Sequence, residues 1–390
     1  MTKKIKVLLV NPWGVNNDRL YASGFVEGMS KLVDLDFACN YHYYGALPSG
    51  NIFKLFFKKS EKMQSGIIRT VIRGLEYFHA WNKLVSITRN NHYDIIHFHW
   101  LLMYTMDIKY IRRIKSQNSR IILTAHNIIP HVNGEKNIEK LRLLYGLCDS
   151  IIIHGEAVKK EFIKYFPEYS EKLCVQYHGY EQQKIDYIEE NNSVFRDLVN
   201  FYASYEKSYI MFGKQFYNKG TDRLISIWKK IVPDNIGLIV LGKCDSEYKE
   251  LDDLISAGIP NNILVINKFI DDNTLNYAIS KSVCIILPYR HASMSGVVYT
   301  AAAFSKMIIT TEAGSIAEYL ENMNDSIVCG IDDESLAHAI QISLELSIDR
   351  LNDMGSTLRR NICSKYSWDV ITENLFHNQY LLLLKDNLAG

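Results

Sequence analysis

Short apolar runs rich in β-branched residues recur along the chain, separated by longer stretches of helical period. This is the pattern of a parallel sheet with helices on both faces. The pattern forms two series. The first predicts strands at Ile5–Val10, Leu35–Cys39, Ile95–Phe98, Ile121–Thr124, Ile151–Ile153 and Cys174–Gln176, with helices at Ile67–Arg89 and Ala157–Tyr165. The second predicts strands at Tyr209–Phe212, Gly237–Leu241, Ile263–Ile266, Val283–Leu287, Met307–Thr311 and Ser326–Val328, with helices at Gly220–Ile231 and Gly296–Phe304. A polar stretch, Tyr180–Asn192, lies between the series and marks a linker. The expected class is α/β, with doubly wound domains over 1–180 and 206–367, a linker region over 181–205, and a helix over 368–390 packing across both domains. Two such domains imply ligands bound in a cleft at the carboxyl ends of their strands.

Composition agrees with a globular chain: 390 residues, 47% hydrophobic and 22% charged, with 7 Pro and 21 Gly, leave no room for a disordered or low-complexity scaffold. The seven cysteines are scattered and never form Cys-x-x-Cys, which argues against a zinc site or a disulfide framework. Cys284, inside Val283-Cys284-Ile285-Ile286, reads as a small buried hydrophobe. The basic N-terminus leads into too short an apolar run for a signal peptide, and no run approaches the ~18 residues of a membrane span. A soluble, cytoplasmic protein is expected.

The formal charge of +1 hides a division. Residues 1–180 hold 25 Lys and Arg against 15 Asp and Glu, a net of +10, and the remainder carries −9. The excess is densest in 51–89, where Lys54, Lys58, Lys59, Lys62, Arg69, Arg73, Lys83 and Arg89 face only Glu61 and Glu76. Phe53, Phe56, Phe57, Tyr77, Phe78 and Trp81 are interleaved with them. A solvated helical face is one reading. The other is a peripheral surface on anionic lipid, with basic groups at the headgroups and the aromatics at the interface. No nucleic-acid-binding motif is present.

Two stretches carry candidate chemistry. In Met211-Phe212-Gly213-Lys214-Gln215-Phe216-Tyr217-Asn218-Lys219-Gly220, two lysines stand at a strand-to-helix turn, where ammonium groups would hold a diphosphate and stabilise it as a leaving group. In Leu287–Ser315, a strand is followed by a polar loop and then by Ser295-Gly296 at a helix start. There the unpaired N–H groups and the helix dipole favour an anion. His97 and His99 share one face of a strand; cleft lining or packing explains them better than a metal pair. Asp34-Leu35-Asp36 reads as strand alternation, and Asp271-Asp272-Asn273 as a helix cap.

Together these motifs resemble the family-4 retaining glycosyltransferases of the GT-B fold, over nearly the whole chain. The family's Gly-Arg/Lys…Lys-Gly motif is matched by Gly213-Lys214…Lys219-Gly220, and its loop-helix-strand segment is similar to Ser295–Glu318. Further matches are Asp94–Trp100, Thr124–His131, His178-Gly179-Tyr180 and Asn11-Pro12-Trp13-Gly14. The resemblance implies a donor site of Gly213, Lys214, Lys219, Gly220, Phe269, Ser295, Gly296, Val297 and Thr300, with base selection near Lys268–Ile270. It implies that His126 orients the sugar, that Lys214 and Lys219 act on the diphosphate, and that Trp13, Gly14, His99 and Asn127 line the acceptor side.

One departure stands out: the family's Glu-x7-Glu signature falls on Ala292 and Thr300. Thr300 offers one hydroxyl where the family has a ribose-binding carboxylate. The Ser-x-Ser-Gly form resembles a variant subgroup of surface polysaccharide biosynthesis (capsule, exopolysaccharide or O-antigen). The implied reaction is metal-independent and uses no cofactor. It moves a sugar from a UDP- or GDP-linked donor to a glycan or polyprenyl-diphosphate-linked acceptor. The missing carboxylates leave open a non-catalytic partner subunit, and the fold leaves open a sugar-nucleotide epimerase.

Overall fold

The computed structural model describes residues 4–15, 19–129, 135–180, 185, 187–188, 192–292 and 296–385. The chain divides into two compact units, residues 1–181 with 365–390, and residues 182–364.

In the first unit, β1 (Lys6–Asn11), α1 (Arg19–Ser30), β2 (Asp34–Asn40), β3 (Ile52–Phe56), α2 (Ile67–Asn90), β4 (Ile95–Phe98), α3 (Tyr104–Lys115), β5 (Arg120–Thr124), α4 (Ile138–Leu147), β6 (Ser150–Ile153), α5 (Glu156–Tyr165) and β7 (Leu173–Val175) follow one another. All seven strands are parallel, in the order β3-β2-β1-β4-β5-β6-β7. Val7 to Val10 of the interior strand β1 are almost wholly buried, as a strand covered by helices on both faces must be.

The second unit runs α6 (Ser193–Ser204), β8 (Ser208–Phe212), α7 (Thr221–Ile231), β9 (Gly237–Leu241), α8 (Lys249–Ser256), β10 (Ile263–Ile266), α9 (Asp272–Lys281), β11 (Cys284–Leu287), α10 (Val297–Ala303), β12 (Met307–Thr311), β13 (Ser326–Cys329), α11 (Asp333–Glu345) and α12 (Ile348–Tyr366). Its six strands are parallel, in the order β10-β9-β8-β11-β12-β13. In both sheets the chain leaves the first strand to one side and later crosses to the other. The connections diverge at β1/β4 and at β8/β11, and that divergence opens a crevice at the carboxyl edge.

The structure adds to the expectations at three places. The strand β3 falls inside the basic segment and was not predicted. It is an edge strand in which Lys54 is exposed between the part-buried Phe53 and Leu55, and a register shift against β2 after Lys54 turns Phe56 into the core. The linker expected over 181–205 is shortened by α6, which packs in the second unit: Phe195 lies 4.4 Å from Tyr277, and the Tyr202 hydroxyl donates to the Ala278 carbonyl at 2.6 Å. Residues 181–184, 186 and 189–191 lie outside the described residues.

The terminal segment, expected to pack across both units, groups with the first. It continues as α13 (Trp368–Leu375), a five-residue π-turn (Phe376–Tyr380) and α14 (Leu381–Lys385). Trp368 packs edge-on to Tyr21 at 5.1 Å and lies 5.6 Å from His178, and the Gln176 amide donates to the Ile371 carbonyl at 3.0 Å.

Candidate functional site

Four consecutive strands of the first unit end in a histidine: His99 after β4, His126 after β5, His154 after β6 and His178 after β7. Because β4 to β7 are neighbours in the sheet, the four imidazoles form a row along its carboxyl edge. Tyr21 of α1 lies against the row, with ring centroids at 5.2, 4.8, 5.8 and 4.7 Å. Burial is the main cause holding all four below the ordinary histidine range, with His178 down to about 3, so the row is neutral at pH 7. For His126, the neighbouring His154, His178 and His97 add to the effect. His97, one position inside β4, is also pushed down to about 3 by burial and is fully hydrogen-bonded, to the Tyr380 hydroxyl at 2.7 Å and the Thr124 hydroxyl at 2.8 Å. Both of its nitrogens are committed, which makes His97 a packing residue and removes it from any metal pair. Among the described residues, no group of three or more His, Cys, Asp or Glu is placed to hold a metal ion.

Trp13, His99, His126 and Asn127 line one cavity of about 250 Å3, together with Trp100 and Tyr104. His126 stacks on Trp100 at 4.3 Å with nearly parallel rings. Among the described residues, its Nε2 and both nitrogens of His99 are buried without a hydrogen-bond partner. Buried polar atoms left unpaired are costly, and here they face a space walled by aromatic rings. Such a cavity suits a sugar: rings for its C–H faces, neutral imidazoles for its hydroxyls. Gly14 does not line it. The Asn11 side chain accepts from the N–H groups of Trp13 and Gly14 at 3.0 and 3.1 Å and turns the loop, so Gly14 borders a separate depression with Arg19, His42 and Glu61.

In the second unit the site is the loop from β8 into α7, at the β8/β11 switch point. Gly213 has φ +100°, a left-handed backbone that favours glycine, and its bare Cα lies beside the Lys219 ammonium group: a Cβ there would sit 2.9 Å from the Nζ. Lys219 is largely buried, its Nζ lies 5.6 Å from the Tyr289 ring centre, and burial lowers its pKa. No carboxylate pairs with it among the described residues. Lys214 differs: it is half exposed, ion-paired with Asp245 at 2.7 Å and set 4.5 Å over Phe216. The two cations expected to act alike are thus one bound and one unpaired.

Gly220, with φ +70°, caps α7, and a Cβ there would lie 2.1 Å from the Pro288 carbonyl oxygen at the end of β11. Gly220→Ala is therefore expected to cost about 1–3 kcal/mol and to displace Lys219. Thermal unfolding together with nucleotide titration checks both effects.

Residues 206–345 match the family model described as glycosyl transferases group 1, and residues 62–184 match that described as glycosyltransferase family 4. The chain carries two glycosyltransferase domains. HepE of Anabaena, solved in complex with UDP, superposes with a TM-score of 0.68 at 15% identity, covering 96% of this chain and 99% of that one. A glycosyltransferase from Rickettsia africae gives 0.67 at 15%, covering 99% and 100%. Sucrose-phosphate synthase from Thermosynechococcus elongatus gives 0.69 at 13%, covering 97% and 100%. At these identities the likeness shows the fold, GT-B, with two Rossmann-like domains. Comparison with curated protein sequences gives no match.

In the second glycosyltransferase domain, Gly296 caps α10 with open space where a side chain would be, and Val297 and Thr300 follow on the helix. Ser295 lies outside the described residues. The Thr300 hydroxyl donates back to the Gly296 carbonyl at 3.4 Å, so its proton is turned onto its own helix. Phe269 follows β10 and is 87% exposed.

Three residues around the Lys219 loop were not foreseen: Arg290, Asp222 and Tyr248. Arg290, just after β11, makes a two-pronged bond to Asp222 at 2.7 and 2.8 Å and donates to the Tyr217 carbonyl at 2.8 Å. Burial pulls the Asp222 carboxyl up, but Arg290 and the Tyr248 hydroxyl overcome this and hold it below its usual range. This network ties the Lys219 loop to the loop after β11. His154 was also missed, although the recurrence of histidine at strand ends about every 27 residues was a readable signal.

Proposed function

We propose that the protein is a metal-independent retaining glycosyltransferase that moves a sugar from a nucleotide-diphosphate donor to a glycan carried on a lipid diphosphate, in surface polysaccharide synthesis. The observation that carries the donor half is Lys219: a largely buried ammonium group with no carboxylate partner among the described residues, beside Gly213 at the β8/β11 switch point. A buried cation in that position gains most from an arriving polyanion. The UDP present in the HepE structure, a protein of the same fold, supports this choice of ligand class.

In this reading the bond from the anomeric carbon to the diphosphate oxygen breaks while Lys219 takes up the developing charge. The acceptor hydroxyl oxygen bonds to the same face of the sugar, and its proton passes to the departing diphosphate. The His126 Nε2, neutral and unpaired, hydrogen-bonds a sugar hydroxyl over the aromatic wall. Gly296 and the first turn of α10 approach the phosphates, and Phe269 lies toward the base.

Thermal unfolding with UDP, GDP and their sugars tests the reading. A bound nucleotide at 100 times its dissociation constant adds about 2.7 kcal/mol. No shift with any of them overturns the donor assignment and favours a partner subunit without activity, the reading that Ala292 and Thr300 left open.

A further inference from the structure

The basic segment carries a feature that the transfer reaction does not use. Helix α2 buries one face in the core through Tyr77, Ala80, Trp81, Leu84 and Val85. It is pinned there by Asp107, which accepts from the Tyr77 hydroxyl at 2.8 Å and the Trp81 indole at 3.0 Å. The opposite face of its first three turns is apolar and bare: Ile67 is 85% exposed, Ile68 70%, Val71 57%, Leu75 64% and Phe78 50%. The spacing of Ile67, Val71, Leu75 and Phe78 places them along one line of the helix. An unpartnered apolar stripe on a helix that is otherwise firmly packed marks an interaction surface.

The charge around the stripe says what covers it. Lys58, Lys59 and Lys62 precede the helix, Lys83 and Arg89 follow the stripe, and all five are exposed. The two acids of the segment are turned inward: Glu61 pairs with Arg73 at 3.3 Å, and Glu76 accepts from the Ser60 hydroxyl at 2.6 Å and the Lys59 N–H at 2.7 Å. The outward charge is therefore of one sign. Two copies meeting stripe to stripe would bring like charges together, whereas anionic headgroups would neutralise them. Of the interleaved aromatics, Phe56, Phe57, Tyr77 and Trp81 are core residues, so the aromatic interface read from the sequence is replaced by this aliphatic stripe and Phe78.

We infer that the first half of α2 is an interfacial helix that seats the first domain on an anionic membrane, with Ile67, Ile68, Val71, Leu75 and Phe78 among the acyl chains and the five basic side chains at the headgroups. The inference stands on the fold and the surface, not on the transfer reaction. Phe78 also borders a groove of about 600 Å3, lined by Met103 and Met106 with Lys109 and Lys140 at its edge, and this groove shares Leu102 and Tyr104 with the His126 cavity. A lipid-borne acceptor at that surface would lie beside the sugar cavity.

Co-sedimentation of the full chain with vesicles, read without any activity assay, tests it. The protein should pellet with phosphatidylcholine vesicles that contain phosphatidylglycerol, and binding should fall about ten-fold or more when phosphatidylglycerol is omitted or salt is raised from about 50 to about 500 mM. Ile67→Glu with Leu75→Glu should abolish binding, and the milder Ile68→Ser with Leu75→Ser should weaken it, both with unchanged circular dichroism. Failure of the wild type to bind, or equal binding by both variants, overturns the inference. So does a dimer in light scattering that Leu75→Glu dissociates without any vesicle binding, which would assign the stripe to a second copy.

Discussion

Replacing Lys219 by alanine is expected to weaken donor binding and to lower kcat about 10²- to 10³-fold, the loss that accompanies removal of one preorganised charge-stabilising donor from a water-poor site. The expectation is specific to this lysine. Lys214 is half exposed and already paired with Asp245, so Lys214→Ala should cost less than about ten-fold. Lys219→Arg should rescue poorly, because it replaces a compact ammonium group beside Gly213 with a planar fork of different reach and donor geometry. Initial rates and nucleotide titrations of the three variants separate these outcomes. Equal losses at Lys214 and Lys219 would show that the loop acts only as a general positive field.

The second large effect is on stability against acid. His97 and His178, each held neutral in the folded state with a pKa of about 3, return to about 6.5 on unfolding. Between those values the unfolded chain binds protons that the folded chain does not. The stability is thus fully present above about pH 6.5 and falls as pH drops toward 3. At pH 5 each contributes a loss of about 2 kcal/mol, about 4 kcal/mol together, and His99, His126 and His154 push the same way. Against a typical net stability of about 5–15 kcal/mol, that is a large fraction of what holds the fold together. Four of the five tryptophans, Trp13, Trp81, Trp100 and Trp368, lie in the first unit, so tryptophan emission during urea titration at several pH values reports it. A urea midpoint that stays constant from pH 7.5 to 5 would contradict the shared neutrality of the row.

The architecture was largely readable because strands buried on both faces are apolar runs, and twelve of them were placed from that signal alone. The strand that escaped, β3, is an edge strand whose alternation of Lys54 with Phe53 and Leu55 resembles a basic-aromatic patch when the partner strand is unknown. The loop glycines and lysines were readable because they are local: Gly213, Lys219 and Gly220 lie within one turn. What separates Lys214 from Lys219 was not, since it depends on Asp245, thirty-one positions from Lys214. Arg290 likewise meets Asp222 only after the crossover from β8 to β11 has been made. The exposed stripe of α2 was hidden for a similar reason: its period shows that the helix is apolar on more than one side, and only packing tells which side is covered.

No helix among the described residues is long and apolar enough to cross a membrane. The most direct test of the central claim is a panel of UDP- and GDP-sugars incubated with a lipid-linked oligosaccharide, with proton NMR following nucleoside diphosphate release and the anomeric configuration of the product. Release of the diphosphate with one donor, without added metal, and a product of the same anomeric configuration as that donor are expected. An inverted product would contradict the same-face mechanism, and no transfer from any donor would contradict the function itself.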